Sequence, residues 1–266
     1  MTVSAGKKPV ILVVHGVQLG EAVDLQQDNY IAELVQSRLA GHTFEFDVDL
    51  YRYEDLNDVA QQKLIQLSKL IIQSPLSSIL TTSALDIVGD VVISLSKNST
   101  ANAIRSKLKE KILSYFEQGH PLYLVAHSLG TVYSFDVINE LMQEPEYFKR
   151  DDPLSWPVQG MLTIGSPLGL DLFKQTGRSQ AMLMGLGEYN FKWLNYFDVN
   201  DPVVSGNIFG VALASTQIAE RFKQDIPDFG WYIQDYPVVT GQTWLLAHTA
   251  YWQNPMVGDG LVSMMV

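Results

Sequence analysis

A serine flanked by small residues lies at the centre of Ala126–Gly130, between an apolar segment and a segment with helical spacing. The apolar run 121–125 predicts a strand, and 131–141 predicts a helix. A strand, a sharp turn and a helix form the context of a nucleophile elbow, where small residues let the two backbones cross closely. The pattern predicts that the Ser128 hydroxyl is exposed as a nucleophile at the strand's end. An ordinary loop that contains a serine is the alternative.

A serine hydroxyl needs a neighbouring base, normally histidine, to act as a nucleophile at neutral pH. His248 follows the last predicted strand, where a loop can bring an imidazole to the serine, and we predict it to be the base. His120 begins the elbow strand, about 25 Å away at about 3.3 Å per residue, and His127 should face the opposite side of that strand. His42 follows the first predicted helix, toward the opposite edge of the sheet. His15 ends the first strand on the correct face, but it precedes the serine in the chain and adjoins Gly16 in the loop after that strand. A histidine packed among aromatic residues is the alternative for His248.

The base needs a carboxylate that fixes its tautomer and stabilises the imidazolium. Asp201 comes just after the end of a predicted strand, at the edge of the sheet where such sites form. Asp198 lies three residues earlier and is its rival for the role. Asp225, Asp228 and Asp235 are weaker candidates, because surface acids are common in a chain with this many carboxylates.

An oxyanion hole needs two backbone N–H groups that point at the developing negative charge. Leu129 supplies one donor because it directly follows the serine. The second donor should come from the loop after the first strand, where Gly16 permits a tight turn. Val17 is the predicted donor there, and Gln18 is the alternative. A plain strand-ending turn at His15-Gly16 would look the same in the sequence.

Short apolar runs alternate with segments of helical spacing along the whole chain. This alternation predicts an α/β fold with a mostly parallel, doubly wound sheet. We expect one domain over 1–266, with a helical insertion at about 54–100 and a lid at about 168–191. The predicted strands are 9–14, 44–51, 121–125, 158–165, 193–199 and about 236–240, and the predicted helices include 29–40, 102–116 and 131–141.

Composition narrows the classes of function that this chain can have. The net charge of −11 argues against a nucleic-acid partner and against electrostatic attraction to anionic membranes. The absence of cysteine excludes disulfides, cysteine-bound zinc and a thiol nucleophile.

Residues 1–9 lack the apolar centre of a secretion signal, so we expect a cytoplasmic location. Residues 75–95 are apolar but interrupted by Asp86, Gly89 and Asp90, so we expect buried helices or a cap there, not a membrane span.

Taken together, these motifs resemble those of the α/β-hydrolase family, specifically its serine esterases and lipases. The matching residues are His15-Gly16, Ala126–Gly130, Thr163–Pro167, Asp201–Val203 and His248, and their order of nucleophile, acid and base is the family's order. Alanine at 126, where the family's elbow motif has glycine, is a small departure. The resemblance implies the α/β-hydrolase fold with helical cap or lid insertions. It also implies acyl transfer to water through an acyl-serine, with no metal or organic cofactor, and a structural role for Ser166.

The expected substrate is a small-molecule or lipid ester. Apolar residues with methionine and glycine in 168–191, together with 208–219 and 229–232, predict a hydrophobic acyl pocket. A phospholipase or lysophospholipase that contacts a membrane without spanning it is one alternative. A binding protein that has the fold without the catalysis is the other.

Overall fold

The structure is a computed structural model of the whole chain. The residues that it describes are 7–16, 26–39, 43–53, 99–149, 152–169, 184–185, 187, 189, 191–205, 218, 231–242 and 245–266. Most of the predicted insertion at 54–100, including 75–95, and most of the predicted lid at 168–191 lie outside these residues. The single-domain organisation stays a prediction.

Six parallel strands form one sheet within the described residues, in the order β2-β1-β3-β4-β5-β6. The carboxyl ends of all six strands therefore meet at one edge, where open α/β sheets bind their ligands. The strands are β1 Val10–Val14, β2 Asp47–Tyr51, β3 Leu122–His127, β4 Gly160–Ile164, β5 Lys192–Phe197 and β6 Gln234–Pro237.

Helices pack on both faces of this sheet, as a doubly wound α/β fold requires. Helices α2 and α3 contact each other, and helices α1 and α6 contact each other. The helices are α1 Gln27–Arg38, α2 Ser99–Glu117, α3 Leu129–Leu141, α4 Pro202–Ser205, α5 Leu245–Thr249 and α6 Pro255–Met265, with 3-10 turns at Pro153–Ser155, Pro167–Gly169 and Ala250–Gln253.

The central strands are apolar on both faces because each face carries its own hydrophobic core. Alternate residues of β1 belong to different cores, since successive side chains along a strand point to opposite faces of the sheet. Leu12 belongs to the core beneath α2 and α3, and Ile11 belongs to the core beneath α1 and α6. Both side chains are fully buried, and burial of such a side chain contributes about 1.5–3 kcal/mol.

The predicted mostly parallel α/β sheet is confirmed, although every strand differs from its predicted bounds by one to three residues at one or both ends, and two strands differ most. The strand predicted from residue 44 begins at Asp47. Its neighbour β1 begins at Val10, which is in register with Asp47, and the residue before Val10 is Pro9, whose carbonyl accepts the Asp47 N–H at 2.9 Å. Proline has no N–H with which to continue the ladder. The strand predicted at about 236–240 lies at Gln234–Pro237, in register with β5, which ends at Phe197.

Among the helices of the described residues, none combines the length and the apolar composition that a membrane crossing requires.

Candidate active site

Ser128 occupies a strained turn between β3 and α3, at the carboxyl edge of the sheet. Its backbone has φ 53° and ψ −128°. Among the described residues other than glycine, only Ser128 and Tyr189 have a positive φ. Such a conformation costs about 1–3 kcal/mol and persists where the surrounding structure enforces it. Here the Ser128 N–H donates to the Ile164 carbonyl at 3.1 Å, and the Thr131 N–H donates to the Ser128 carbonyl at 3.0 Å.

Two glycines allow β1 to approach this turn closely. A Cβ on Gly130 would lie 2.3 Å from the Val14 oxygen and 2.4 Å from the His15 oxygen. A Cβ on Gly16 would lie 2.5 Å from the Ser128 Cβ and 3.0 Å from its Oγ. Only glycine fits at either position without displacing its neighbours. The turn after β1 therefore lies directly against the serine.

His248 and Asp201 are joined by a hydrogen bond, with 2.8 Å between the histidine Nδ1 and the aspartate Oδ2. His248 lies in the short helix α5, and Asp201 lies between β5 and α4. The Asp201 side chain is fully buried, and the His248 side chain is 12% exposed. The carboxylate requires the hydrogen on Nδ1, which leaves Nε2 able to accept a proton.

Two further donors satisfy the buried Asp201 carboxylate. The Tyr251 hydroxyl donates to Oδ2 at 2.8 Å, and the Val203 N–H donates to Oδ1 at 2.9 Å. Burial and the adjacent Asp201 charge raise the pKa of the Tyr251 hydroxyl, so it stays protonated and can donate. The same hydroxyl accepts the Asp198 N–H at 2.9 Å. Tyr251 thus ties the end of β5 to the carboxylate that orients His248.

Asp198, the rival acid, binds a different segment. Its Oδ2 accepts from the Thr240 N–H at 2.8 Å and from the Thr240 hydroxyl at 2.7 Å, while its Oδ1 accepts from the Asn200 N–H at 2.8 Å. Burial acts to raise the pKa of Asp198, but these hydrogen bonds outweigh it and hold the pKa below the ordinary value. The Asp198 carboxylate therefore connects the end of β5 to the chain after β6 through hydrogen bonds.

The His248 ring lies next to the strand end that supports the serine. A Cβ on Gly165 would lie 3.1 Å from both Nδ1 and Cε1 of His248. Gly165 has φ 57° and directly follows Ile164, whose carbonyl accepts the Ser128 N–H. The structure therefore places Ser128, His248 and Asp201, the three predicted catalytic residues, at one edge of the sheet, with the side chains of His248 and Asp201 in direct contact.

His127 contacts His248 in a way that sequence reasoning missed. The two ring centroids lie 4.6 Å apart, and the His127 Nε2 donates to the His248 carbonyl at 2.8 Å. Burial lowers the pKa of His127 well below its ordinary value, and the neighbouring His248 acts in the same direction. His127 is therefore a neutral support beneath the histidine. The sequence gives no signal for this contact, since 121 residues separate the two.

The predicted oxyanion donors are described only in part. Leu129 is the first residue of α3, and the first N–H groups of a helix have no partner within the helix. Val17 and its alternative Gln18 lie outside the described residues. The turn that precedes them is described: His15 is buried, and its carbonyl accepts from the Tyr53 hydroxyl at 2.8 Å.

The remaining candidates lie at the opposite edge of the sheet, beside the turn at Ser128, or outside the described residues. His120 precedes β3 at the opposite edge and contacts the Lys8 carbonyl at 2.8 Å. His42 is outside the described residues. Ser166 is buried, with its hydroxyl 2.9 Å from the Thr131 hydroxyl, where it supports the start of α3. Within the part of the chain that the structure describes, no group of three or more histidine, aspartate or glutamate side chains is arranged to hold a metal ion.

No family model matches the sequence, and none of the curated proteins matches it. Among solved structures, a novel cutinase-like protein from Cryptococcus sp. is similar to this chain. The two share 11% sequence identity at a TM-score of 0.39, with 98% of this chain and 94% of the other covered.

Proposed function

We propose that this protein is a serine hydrolase of the α/β-hydrolase type that cleaves carboxylic esters through an acyl-serine intermediate. One observation carries the proposal. A serine with φ 53° stands at a strand-to-helix junction, at the same sheet edge as a histidine whose Nδ1 lies 2.8 Å from a buried carboxylate. This backbone conformation costs free energy, and such conformations cluster at active sites, whereas an ordinary loop gains nothing from it. A histidine paired with a buried carboxylate at the same edge is the arrangement that activates a serine.

In the acylation step, the Ser128 hydroxyl attacks the ester carbonyl while His248 takes its proton at Nε2. Asp201 accepts the hydrogen bond from Nδ1 and stabilises the imidazolium that forms. The Leu129 N–H supports the oxyanion together with a second donor from the loop after Gly16, for which Val17 is the candidate. His248 then gives its proton to the departing alcohol.

In the deacylation step, the same groups act in the reverse order. His248 takes a proton from water, which attacks the acyl carbonyl, and the serine oxygen leaves with that proton. Neutral His127 suits this cycle because it places no competing positive charge beside the imidazolium. No step requires a cofactor.

The test is hydrolysis of p-nitrophenyl esters with acyl chains from acetyl to palmitoyl, with Ser128→Ala as the blank. Turnover should fall by several orders of magnitude in Ser128→Ala. A preference for longer chains would support the predicted hydrophobic acyl pocket. Turnover that is equal in Ser128→Ala and the unmodified protein would refute serine catalysis at this site.

Exposed apolar side chains near the site favour a second candidate, an esterase that acts on aggregated lipid such as a phospholipid or lysophospholipid. Val199 after β5 is 55% exposed, Val239 after β6 is 83% exposed and Leu246 in α5 is 64% exposed. Val199 and Leu246 stand on the segments that carry Asp201 and His248, and Val239 precedes Thr240, which binds Asp198 at the end of β5. Leu246→Gln should reduce the stimulation of turnover by lipid micelles. Leu154→Gln is the control, because Leu154 is 79% exposed before β4, at the other edge of the sheet. An equal micelle response in both variants would remove this candidate.

A further inference from the structure

The Tyr53 hydroxyl lies between two consecutive carbonyl groups at the end of β1. It is 2.8 Å from the His15 oxygen and 2.9 Å from the Gly16 oxygen. In an extended strand, successive residues face opposite sides, so two consecutive carbonyls that face one donor mark the place where β1 turns. Buried carbonyls need such partners. One side chain, two residues after the end of β2, therefore defines the shape of the turn.

The ring that carries this hydroxyl is itself fixed by its neighbours. The Tyr53 side chain is 4% exposed. The His15 ring stacks on it with a centroid distance of 4.4 Å and an interplanar angle of 10°, and the Tyr133 ring meets it edge-on at 5.6 Å. The His15 Nδ1 also lies within hydrogen-bond distance of the Gly16 oxygen. The Gly16 carbonyl is thus held from two sides by rigid aromatic groups.

This turn lies directly against the candidate nucleophile. A Cβ on Gly16 would lie 2.5 Å from the Ser128 Cβ, so any rotation of the turn moves atoms that touch the serine. Because the Tyr53 hydroxyl contacts both carbonyls of this turn, it holds Gly16 in place against the Ser128 side chain.

We propose that Tyr53 is a positioning residue of the active site, and that its hydroxyl holds the His15-Gly16 turn in place against Ser128. The inference rests on the proposed function, since the placement of Ser128 affects turnover only where Ser128 is acylated. Its contribution should appear in kcat and not in substrate binding, because attack by the serine oxygen depends on its placement against the ester carbonyl.

Tyr53→Phe tests the inference, and Tyr51→Phe is a matched control two residues away. Tyr51 is also a buried tyrosine, 5% exposed, and its hydroxyl donates to the Ile104 carbonyl at 2.7 Å, within the core and away from the serine. Each variant removes one hydroxyl that donates to buried backbone. A purely structural role would therefore give the two variants similar kinetics. Both are assayed for ester turnover well below their measured melting temperatures.

Tyr53→Phe should lower kcat by about tenfold or more with KM within about twofold, since small misplacements of catalytic groups cost up to about 100-fold. It should also weaken inhibition by a boronic acid that forms a tetrahedral adduct with Ser128, by a similar factor. Tyr51→Phe should leave kcat and the boronic acid affinity within about twofold of the unmodified protein. Equal effects of the two variants on kcat and boronic acid affinity would overturn the inference.

His15→Phe is a second variant, used in case Tyr53→Phe does not fold. It retains a ring to stack on Tyr53 and removes the Nδ1 contact to the Gly16 oxygen, so it should lower kcat in the same direction. An unchanged kcat in His15→Phe would count against the inference. The proposed function fails separately, through an active Ser128→Ala variant, whereas this inference fails when Ser128 is required but Tyr53→Phe changes kcat and boronic acid affinity no more than Tyr51→Phe does.

Discussion

Asp201 and Asp198 are three positions apart, yet their carboxylates have different partners. Asp201 binds the His248 ring, whereas Asp198 binds the backbone and hydroxyl of Thr240 and the backbone of Asn200. Asp201→Asn should lower kcat by about 10³- to 10⁴-fold, because an amide fixes the wrong tautomer of the base and does not stabilise its charge. Asp198→Asn should retain kcat within about threefold and reduce the free energy of unfolding by about 1–3 kcal/mol.

Steady-state kinetics and urea unfolding of both variants check this prediction. The Asp201 assignment predicts that the large loss of kcat falls on Asp201→Asn and the loss of stability on Asp198→Asn. A larger fall in kcat for Asp198→Asn would transfer the role of the acid to Asp198.

The lowered pKa of Asp198 predicts a pH dependence of stability. Hydrogen bonds hold the pKa below 3.8 in the folded protein. Its stabilisation is therefore present above the unfolded pKa and is lost as the pH falls through the lowered folded pKa. The unfolding free energies of the unmodified protein and Asp198→Asn should differ most at about pH 6 and converge as the pH falls below the unfolded pKa and through the lowered folded pKa. Urea titrations across this range measure the difference, and a gap that widens towards acid would contradict the predicted sign.

The junction of β1 with the start of α3 depends on Gly130. A methyl group there would lie 2.3 Å and 2.4 Å from two carbonyl oxygens of β1 and its turn. Gly130→Ala should therefore push α3 away from β1, reduce the free energy of unfolding by about 1–3 kcal/mol and lower kcat by displacing the Leu129 N–H. Gly119→Ala is the control, because Gly119 has φ 78° with nothing within 4 Å of an added Cβ. The control should lose about 1–2 kcal/mol through backbone strain with kcat unchanged. A parallel loss of kcat in both variants would show that it reflects general destabilisation.

A substitution in a hydrophobic core remote from the site should lower the stability of the whole molecule without changing the catalytic rate of the molecules that are folded. Leu261 in α6 is fully buried against the core beneath α1 and α6. Leu261→Ala should reduce the free energy of unfolding by about 2–5 kcal/mol through lost burial and the cavity left behind. The kcat per folded molecule, counted by titration of Ser128, should stay within about twofold. A large fall in kcat with unchanged unfolding would contradict this separation.

The sequence predicts the sheet and the sheet-edge position of the site because both depend on local patterns. Apolar runs of five or six residues mark the buried strands, and Ala126–Gly130 marks the turn at Ser128. The supporting contacts could not be predicted in this way. Tyr53 binds carbonyls 38 and 37 positions away, and Tyr251 binds Asp201 50 positions away. Such pairings follow from the strand order and from how closely the strand ends approach, neither of which composition or periodicity determines.

The central claim is that Ser128 is the nucleophile, and labelling with a fluorophosphonate tests it most directly. After incubation, the modified peptide is identified by mass spectrometry in the unmodified protein, in Ser128→Ala and in Ser166→Ala. Ser166 is the control serine, since its buried hydroxyl lies 2.9 Å from the Thr131 hydroxyl at the same sheet edge. The account predicts modification at Ser128 that persists in Ser166→Ala and disappears in Ser128→Ala. Modification of another residue, or none in the folded protein, would contradict it.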